Sequence, residues 1–422
     1  MFSSTSARWT AVTIFVFSAV LNYLDRQVLA TMVDIWRTHP EKGTAPFSYA
    51  DYGSLLLVFA LAYALAAPFM GWFIDRVGLN RGICLSVAVW AVASFGTGLS
   101  RGFTQLLICR ALLGIAEASG VSAVGKATAM YLKPEERAVG AGMGQLGLSL
   151  GAGLAPSFAV FFAYNPAFGW RWSFFAAGML SLIWIPAWLI TSRLVRPLTQ
   201  PKSEHGLGSW ILARDPRLWA MVLANGTGMT IYYLWINWSP TYLVRVHHLT
   251  PAVASHYTPY IPIAGYFGAM LGGSLSWRFI RGGLTPVDAR KRVCLIAACI
   301  LLGTMAIPLL PTPLLATIGM SLSYFWIAAW SANMYTIPVD LYGADRAAFG
   351  VSALIFAYGL MQALVSPQMG WVIEKYGFQP ICFTFALLPL LAWLLLKAVV
   401  KPHRTHSAPS IAPSAAPSEP RP

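Results

Sequence analysis

Charged residues are scarce in this sequence of 422 residues. Asp, Glu, Lys and Arg together make up 10% of the chain, whereas hydrophobic residues make up 57%. An ordinary soluble domain carries roughly 25% charged residues, because its surface has to face water. This scarcity excludes a soluble globular protein and predicts an all-α polytopic membrane protein, whose apolar helices face lipid.

The residue patterns of disulfide, metal and enzyme sites are also missing. The five cysteines lie inside apolar segments and form no CxxC pair, so neither a disulfide framework nor a zinc site is expected. The histidines fall in loops or in the tail without HExxH spacing. No catalytic motif, whether of the GxSxG or the phosphate-loop type, stands in a suitable context. We therefore expect no enzyme, no metal and no cofactor.

Long apolar runs dominate what is present. Twelve runs are long enough to span a bilayer, at residues 9–34, 51–74, 82–100, 104–131, 137–163, 172–193, 217–244, 253–280, 291–310, 313–338, 347–372 and 377–399. A polar break divides them into two sets of six. We predict four regions: an N-terminal six-helix bundle, a cytoplasmic linker, a C-terminal six-helix bundle and a disordered low-complexity tail, at 1–193, 194–216, 217–400 and 401–422.

The excess of basic residues lies mainly in short loops between these runs. The formal net charge is +14, but its scatter over separate loops argues against nucleic acid as a partner. Twenty Lys and Arg residues fall on the side that holds both termini, and six fall on the other side. Basic loops stay inside, so we predict a multi-pass inner-membrane protein with both termini in the cytoplasm. The first run carries only Arg8 before it and no cleavage site, which indicates a retained helix.

Two pairs of matching segments relate the two sets of runs. EERAVGAG after the fourth run matches ADRAAFGV after the tenth, and Arg137 and Arg346 are 209 residues apart. GWRWSFF at the sixth run matches YGFQPICF at the twelfth, and Gly169 and Gly377 are 208 residues apart. The common offset predicts two six-helix pseudo-repeats. Transporters built in this way bind substrate between the repeats, near the middle of the membrane.

Four ionisable residues stand well inside apolar runs: Asp25 and Arg26 in the first, and Arg110 and Glu117 in the fourth. The rise of a helix places Asp25, Arg26 and Arg110 at similar depth, and Glu117 two turns deeper on nearly the same face as Arg110. Such charges are costly in a membrane and usually functional, although a buried network that only fixes helix packing is the alternative. Arginine binds carboxylate anions, and a carboxylate in a low-dielectric site can carry a proton.

The segment GWFIDRVGLNRG, at residues 71–82, resembles the loop motif G-x3-D-R-x-G-x-x-R of the major facilitator superfamily. This resemblance implies a major facilitator fold with twelve transmembrane helices. It also implies a gating motif that controls alternation, formed by Gly71, Asp75, Arg76, Gly78 and Arg81.

Further segments narrow the resemblance. NYLDR, CRALLGIAEA, GLAP, GWRWSFF and PVDLYGADRAAFG together resemble the anion:cation symporter family, over nearly the whole chain up to the tail. Bacterial members of that family carry hexuronates, galactonate, glucarate and related acids with protons. The resemblance therefore implies an organic anion as substrate and protons as the coupling ion.

The resemblance also implies roles for individual residues. Asp25 and Glu117 match the protonatable carboxylates of the family. Arg26 matches the residue that meets the substrate anion, and Arg110 matches an arginine of the substrate site that is coupled to Glu117. The other implied substrate-binding residues are Tyr23, Tyr63 and Gln145, which match the family, and three that we expect to face the same cavity from the C-terminal half, namely Asn333, Tyr358 and Gln362.

We predict from these observations a proton-coupled symporter that imports a small organic anion by alternating access. The expected substrate is a sugar acid such as a hexuronate, an aldonate or an aldarate. Its partners are the anion, protons and the lipid bilayer, and one twelve-helix unit suffices as a functional monomer. One alternative is a major facilitator exporter or uniporter of a monocarboxylate, an aromatic acid or a drug-like compound. The other is a protein of a different class, either a transporter-like sensor or a membrane enzyme, although no catalytic motif supports the enzyme.

Overall fold

The computed structural model describes residues 4–38, 47–133, 136–198 and 212–400. Helices make up nearly all of these ranges, as the apolar runs predict. Most of the predicted linker, at 199–211, and the predicted tail, at 401–422, lie outside the described residues. The division of the chain into two bundles at that linker stays a prediction.

Sixteen α-helices and an eight-residue 3₁₀-helix account for most of the described chain. They are α1 (Thr5–Thr38), α2 (Tyr49–Val77), α3 (Leu79–Leu99), α4 (Phe103–Glu117), α5 (Gly120–Tyr131), α6 (Arg137–Tyr164), α7 (Arg171–Leu194), α8 (Pro216–Gly228), α9 (Thr230–Val246), α10 (Pro251–Tyr257), α11 (Tyr260–Arg281), α12 (Pro286–Leu301), the 3₁₀-helix (Leu302–Leu309), α13 (Pro313–Met334), α14 (Ile337–Tyr342), α15 (Ala344–Tyr376) and α16 (Gln379–Val399).

Nine helical stretches of the described residues are long and apolar enough to cross a membrane, and they match nine of the predicted spans. The other three predicted spans coincide with pairs of consecutive helices, α4 with α5, α8 with α9, and α10 with α11. The breaks fall at 118–119, Met229 and 258–259. Transporters place such interruptions where the freed backbone is buried in protein or lines a cavity.

Short polar side chains and glycine set the helix ends near the loops. Ser48 and Asp51 form a capping box at the start of α2, in which the Ser48 hydroxyl accepts from the Asp51 amide at 3.0 Å. Gly78 separates α2 from α3 with φ +90, a left-handed conformation that a residue with a side chain adopts at a cost. These two signals explain why α2 begins and ends where it does.

Close packing joins the first six spans to the last six. Helix α2 runs along α15, and α6 runs along α11. A Cβ atom on Gly53 would meet the backbone of Ser366, and one on Gly370 would meet the backbone of Tyr49. Small residues at these positions therefore allow α2 and α15 to approach closely, as is common between helices in membranes.

The helix bundle has two ends, each defined by the helix termini that lie there. The distal face is the end where α1 finishes at Thr38 and α2 begins at Tyr49. The terminal face is the opposite end, where α1 begins at Thr5 and α16 finishes at Val399. The segment that resembles the gating motif lies at the terminal face, between α2 and α3.

Candidate functional site

An ion pair joins α1 to α4. The Arg26 guanidinium donates from Nε and Nη2 to Oε2 of Glu117, at 3.0 and 2.8 Å. The Glu117 side chain is fully buried, and that of Arg26 is 18% exposed. Glu117 is the last residue of α4, where the helix dipole disfavours a negative charge. The Arg26 guanidinium offsets both the unfavourable helix dipole and the loss of hydration of the Glu117 carboxylate. Removal of the guanidinium would leave a buried, unpaired carboxylate.

Three aromatic rings surround the same guanidinium. Its carbon lies 4.7 Å from the ring centroid of Tyr23, 4.7 Å from that of Phe59 and 5.1 Å from that of Tyr63. Rings at this distance attract a cation and shield it from water. Arg26 is therefore held in place by α1 and α2 as well as by α4.

Asp25 and Arg110 lie close to this pair but make different contacts. Asp25 is fully buried, and its Oδ2 accepts a hydrogen bond from the Ser94 hydroxyl of α3. Arg110 is 2% exposed, and its Nε and Nη2 atoms have no hydrogen-bond partner among the described residues. Arg110 interacts electrostatically with both Asp25 and Glu117. The structure thus brings together all four ionisable residues that the sequence singled out.

A small cavity lies beside these charges, between α1, α2, α4, α9 and α15. Five predicted substrate-binding residues line it, namely Tyr23, Arg26, Arg110, Tyr358 and Gln362. Sequence reasoning did not assign the remaining lining residues to the site, which are Gln27, Leu29, Leu56, Phe59, Tyr232, Tyr233, Ile236 and Asn237. Four of these lie on α9, within the aromatic and polar segment YYLWINW at residues 232–238.

Three other predicted substrate-binding residues do not line this cavity. Tyr63 contacts it indirectly, through the Arg26 guanidinium. Asn333 is fully buried and donates from Nδ2 to the carbonyl oxygen of Ala329 on its own helix at 2.9 Å. Gln145 is half-buried on α6, away from the lining. The structure therefore supplies a direct substrate contact for none of the three.

Helix α9 brings tyrosines to the side of the cavity that faces α1. The Tyr232 ring packs on Tyr324 of α13 with a centroid distance of 4.7 Å and an interplanar angle of 31°. Tyr358 of α15 meets the same Tyr232 ring edge-on at 6.0 Å. Nearer the distal face, the carbonyl oxygen of Asn237 accepts a hydrogen bond from the Tyr52 hydroxyl of α2 at 3.0 Å. The cavity thus lies between helices of the first and the last six spans.

Polar contacts tie the two halves of the chain together at the distal face. Arg37 of α1 pairs with Glu374 of α15 at 2.9 Å, and Glu374 also accepts from the Tyr49 amide at 3.0 Å. Asp34, which is buried, accepts from the Tyr49 hydroxyl at 3.2 Å and from the Thr241 hydroxyl of α9 at 2.9 Å. These contacts close the distal face in this conformation.

The predicted gating motif lies at the opposite, terminal face. Gly71 is half-buried near the end of α2, and the Arg76 guanidinium lies 5.5 Å from the Trp72 ring centroid. Gly78 makes the turn into α3, and Arg81 is exposed on the first turn of that helix. The side chain of Asp75 lies outside the described part of the chain. The gating role of these residues stays a prediction.

The architecture and this interhelical site agree with a family assignment. The family model of the Major Facilitator Superfamily matches residues 15–364. The chain belongs to this superfamily. It is accordingly a multi-pass membrane transporter and not an enzyme, and its fold is the major facilitator fold that the sequence predicted.

Curated relatives of this facilitator match most of its length. It is 24% identical over 413 residues to the hexuronate transporter of Escherichia coli K12, covering 93% of this chain and 94% of that protein. It is 25% identical over 428 residues to the D-galactonate transporter of Escherichia coli O6:H1, covering 93% and 96%. The probable L-galactonate transporter of Escherichia coli K12 is 28% identical over 337 residues, covering 75% of this chain and 72% of that protein.

Among solved structures, the facilitator is similar to a bacterial homologue of the human lysosomal transporter Spinster in an inward-facing, unoccupied conformation. The TM-score is 0.70 at 21% sequence identity, and the match covers 94% of this chain and 96% of that one. At this identity the likeness supports the fold alone.

Proposed function

We propose that this facilitator is a proton-coupled symporter that imports a small organic anion of the sugar-acid class. The observation that carries the proposal is the Arg26–Glu117 ion pair, because the guanidinium of this pair also lines the cavity. An anion that enters the cavity competes with Glu117 for Arg26. A proton on Glu117 removes the competitor, since a neutral carboxyl group gives up most of its attraction for the guanidinium.

Proton and anion binding are linked by this competition. The anion binds more tightly when Glu117 is protonated, and by thermodynamic reciprocity the bound anion makes Glu117 easier to protonate. When no anion is bound and Glu117 is ionised, Arg26 and Glu117 neutralise each other through their ion pair. Arg26 is proposed as the substrate-binding arginine and Glu117 as the proton-coupling carboxylate.

Asp25 is proposed as a second proton-coupling residue. It is buried with a hydrogen bond from Ser94, and it interacts electrostatically with Arg110. Two nitrogen atoms of Arg110 have no hydrogen-bond partner within the described ranges, and Arg110 lines the cavity, which supports a substrate-binding role. We extend the substrate-binding proposal to Tyr23, Tyr358 and Gln362, which line the cavity. Tyr63, Gln145 and Asn333 do not line it, and the proposal leaves them out.

The proposed cycle follows from the closed distal face. With both termini in the cytoplasm of the inner membrane, as the basic loops predict, the distal face is the outer one. The outer closure at Arg37, Glu374 and Asp34 then has to open for anion and protons to enter. Two six-helix bundles, joined by the linker, rock about the cavity, and the gating motif regulates closure of the inner face. A monomer contains every proposed part.

The substrate class is supported by the relatives and by the site together. The relatives described above carry names of hexuronate and galactonate transporters. Two guanidinium groups on one side of the cavity suit a carboxylate, and phenols and amides on the other side suit hydroxyl groups.

Uptake by purified protein in liposomes tests the proposal. Labelled D-galacturonate is offered outside vesicles with an acidic exterior, and internal pH is followed with a trapped fluorescent dye. We expect accumulation above equilibrium together with acidification of the interior. Vesicles without a pH gradient, but with the same membrane potential clamped by valinomycin and potassium, are the control. Equal accumulation with and without the gradient, or uptake without proton movement, would contradict proton coupling.

A further inference from the structure

The wall of the cavity formed by α9 and α15 has aromatic ring faces, to which the proposed function assigns no role beyond the hydrogen bonds of their phenol groups. This tyrosine wall consists of Tyr232 and Tyr358, with Tyr324 behind them. One face of the Tyr232 ring is covered by Tyr324, which is almost completely buried. Since Tyr232 is only half-buried and still lines the cavity, its remaining surface borders the space available to a ligand.

The tyrosine wall is held rigidly. The ring of Tyr358 stands at 82° to that of Tyr232, and the two rings contact each other at the edge. Tyr324 packs along the Gly265 backbone of α11, where a Cβ atom would overlap its ring. A fixed aromatic surface favours a ligand with a flat, preformed apolar face, because neither partner then loses much conformational freedom on binding.

The charges on the opposite wall decide how a ligand is oriented. Arg26 and Arg110 lie on α1 and α4, whereas the described lining from α9 and α15 consists of Tyr232, Tyr233, Ile236, Asn237, Tyr358 and Gln362. A carboxylate is drawn to the guanidinium groups. The rest of a sugar acid then extends towards the tyrosine wall, where the amide of Gln362 lines the cavity. Asn237 also lines it, although its amide nitrogen donates to the Tyr233 carbonyl oxygen at 3.1 Å.

We propose that the tyrosine wall selects cyclic sugar acids, so that the facilitator prefers hexuronates in the pyranose form over open-chain aldonates of the same charge and carbon number. This inference rests on the proposed transport of sugar acids. A pyranose ring presents C–H groups on one face, which pack on an aromatic ring. An open-chain acid has no fixed apolar face, and it loses the freedom of several C–C bonds on binding.

A matched pair of ligands tests the selection. D-galacturonate and L-galactonate each carry six carbons and one carboxylate. L-galactonate is D-galacturonate with its aldehyde carbon reduced to an alcohol, so the two acids share the configuration of their hydroxyl-bearing carbons and only D-galacturonate closes to a pyranose ring. Competition against labelled D-galacturonate uptake by the wild-type protein in liposomes is measured with both. We expect D-galacturonate to compete between about 2-fold and 10-fold better, the range that one aromatic packing contact supplies.

Two variants of Tyr232 test whether the wall is responsible. Tyr232→Phe keeps the ring, so the preference is expected to remain. Tyr232→Leu removes the ring, so the ratio between the two acids is expected to approach one. Tyr358→Leu repeats the test on α15 in case Tyr232→Leu is not recovered as a folded, monodisperse protein.

The outcomes separate this inference from the proposed function. Competition by L-galactonate that equals or exceeds that of D-galacturonate overturns the ring selection and leaves sugar-acid transport intact. An unchanged ratio in folded Tyr232→Leu and Tyr358→Leu proteins overturns the role of the tyrosine wall. Failure of both acids to be taken up or to compete, with uptake of benzoate instead, refutes the proposed function itself.

Discussion

The two walls of the cavity differ in kind. The wall from α1 and α4 carries two arginines, and two buried carboxylates lie on or behind it. The described lining from α9 and α15 is made of phenols, amides and one isoleucine. The charged wall is fixed by short ion-pair contacts and stacked rings, whereas the neutral wall is fixed by ring packing.

This difference indicates a division of labour. Charges in a low-dielectric site interact strongly with protons and anions, so the charged wall is suited to coupling. A buried charge that moves past another surface has a high free-energy cost, because it loses its partners and needs new ones. A neutral wall avoids that cost. We infer that, during alternation, the neutral wall can slide relative to the charged wall while the Arg26–Glu117 ion pair stays within the first six spans.

The strongest test of the charged wall is Arg26→Ala. It removes the guanidinium that we assign to the substrate carboxylate, and we expect anion affinity to fall by about 100-fold, as for the loss of charged hydrogen bonds. Binding is measured by calorimetry on the purified protein with D-galacturonate. Wild-type affinity in a folded Arg26→Ala protein would contradict the assignment.

A double variant controls for the carboxylate that Arg26→Ala leaves unpaired. Glu117→Gln combined with Arg26→Ala removes the buried charge and is expected to recover thermal stability. Anion affinity is expected to remain low, because the guanidinium is still missing. Recovery of both properties together would show that Arg26 has only a structural role.

The second test is Glu117→Gln alone. The amide mimics the protonated carboxyl group, so Arg26 is permanently available and anion binding is retained. Accumulation driven by a pH gradient is expected to fall by about tenfold or more, whereas exchange of labelled for unlabelled anion continues. Gradient-driven accumulation equal to that of the wild type would exclude Glu117 as a coupling residue.

On the neutral wall, Gln362→Ala is expected to have a smaller effect. It removes one polar group, and a single neutral hydrogen bond contributes about 1 kcal/mol. We expect the KM for uptake to rise about fivefold with the pH dependence unchanged. A changed pH profile would show that the two walls are not separate in function.

The smallest effect is expected for Asn333→Ala. The Asn333 amide donates to the Ala329 carbonyl group inside α13 and does not line the cavity. The free energy of unfolding is expected to fall by about 1 kcal/mol, whereas the KM for uptake is expected to change by less than about twofold. A loss of affinity comparable to that of Gln362→Ala would mean that the cavity extends to Asn333 in another conformation.

The charged wall was far easier to predict from sequence than the neutral one. Asp25, Arg26, Arg110 and Glu117 are conspicuous because charges are rare in apolar helices. Their similar depth along the first and fourth predicted spans was enough to predict that they lie close together. The sequence did not indicate that Arg26 would pair with Glu117 and Asp25 with Ser94, because that choice depends on how α1 is rotated against α3 and α4.

The neutral wall depends on features that leave a weak signal. Tyrosine, asparagine and glutamine occur throughout membrane helices, where they most often join one helix to another. Tyr232 and Asn237 were visible as polar residues, but the rotation of α9 after its break at Met229 decides that they line the cavity. Asn333, which we expected on the same grounds as Gln362, does not line the cavity; its side chain is fully buried and its amide donates to the Ala329 carbonyl oxygen of its own helix.

The closure of the distal face gives ionic strength a selective effect on this protein. The Arg37 and Glu374 side chains are 28% and 39% exposed, so dissolved salt reaches their ion pair. Glu117 is fully buried, so salt has little access to its pair with Arg26. At about 0.1 M salt, exposed charges are screened over roughly 10 Å, and buried charges much less. The salt concentration of the medium on the distal side therefore acts on the opening of the transporter while leaving its charge pair intact.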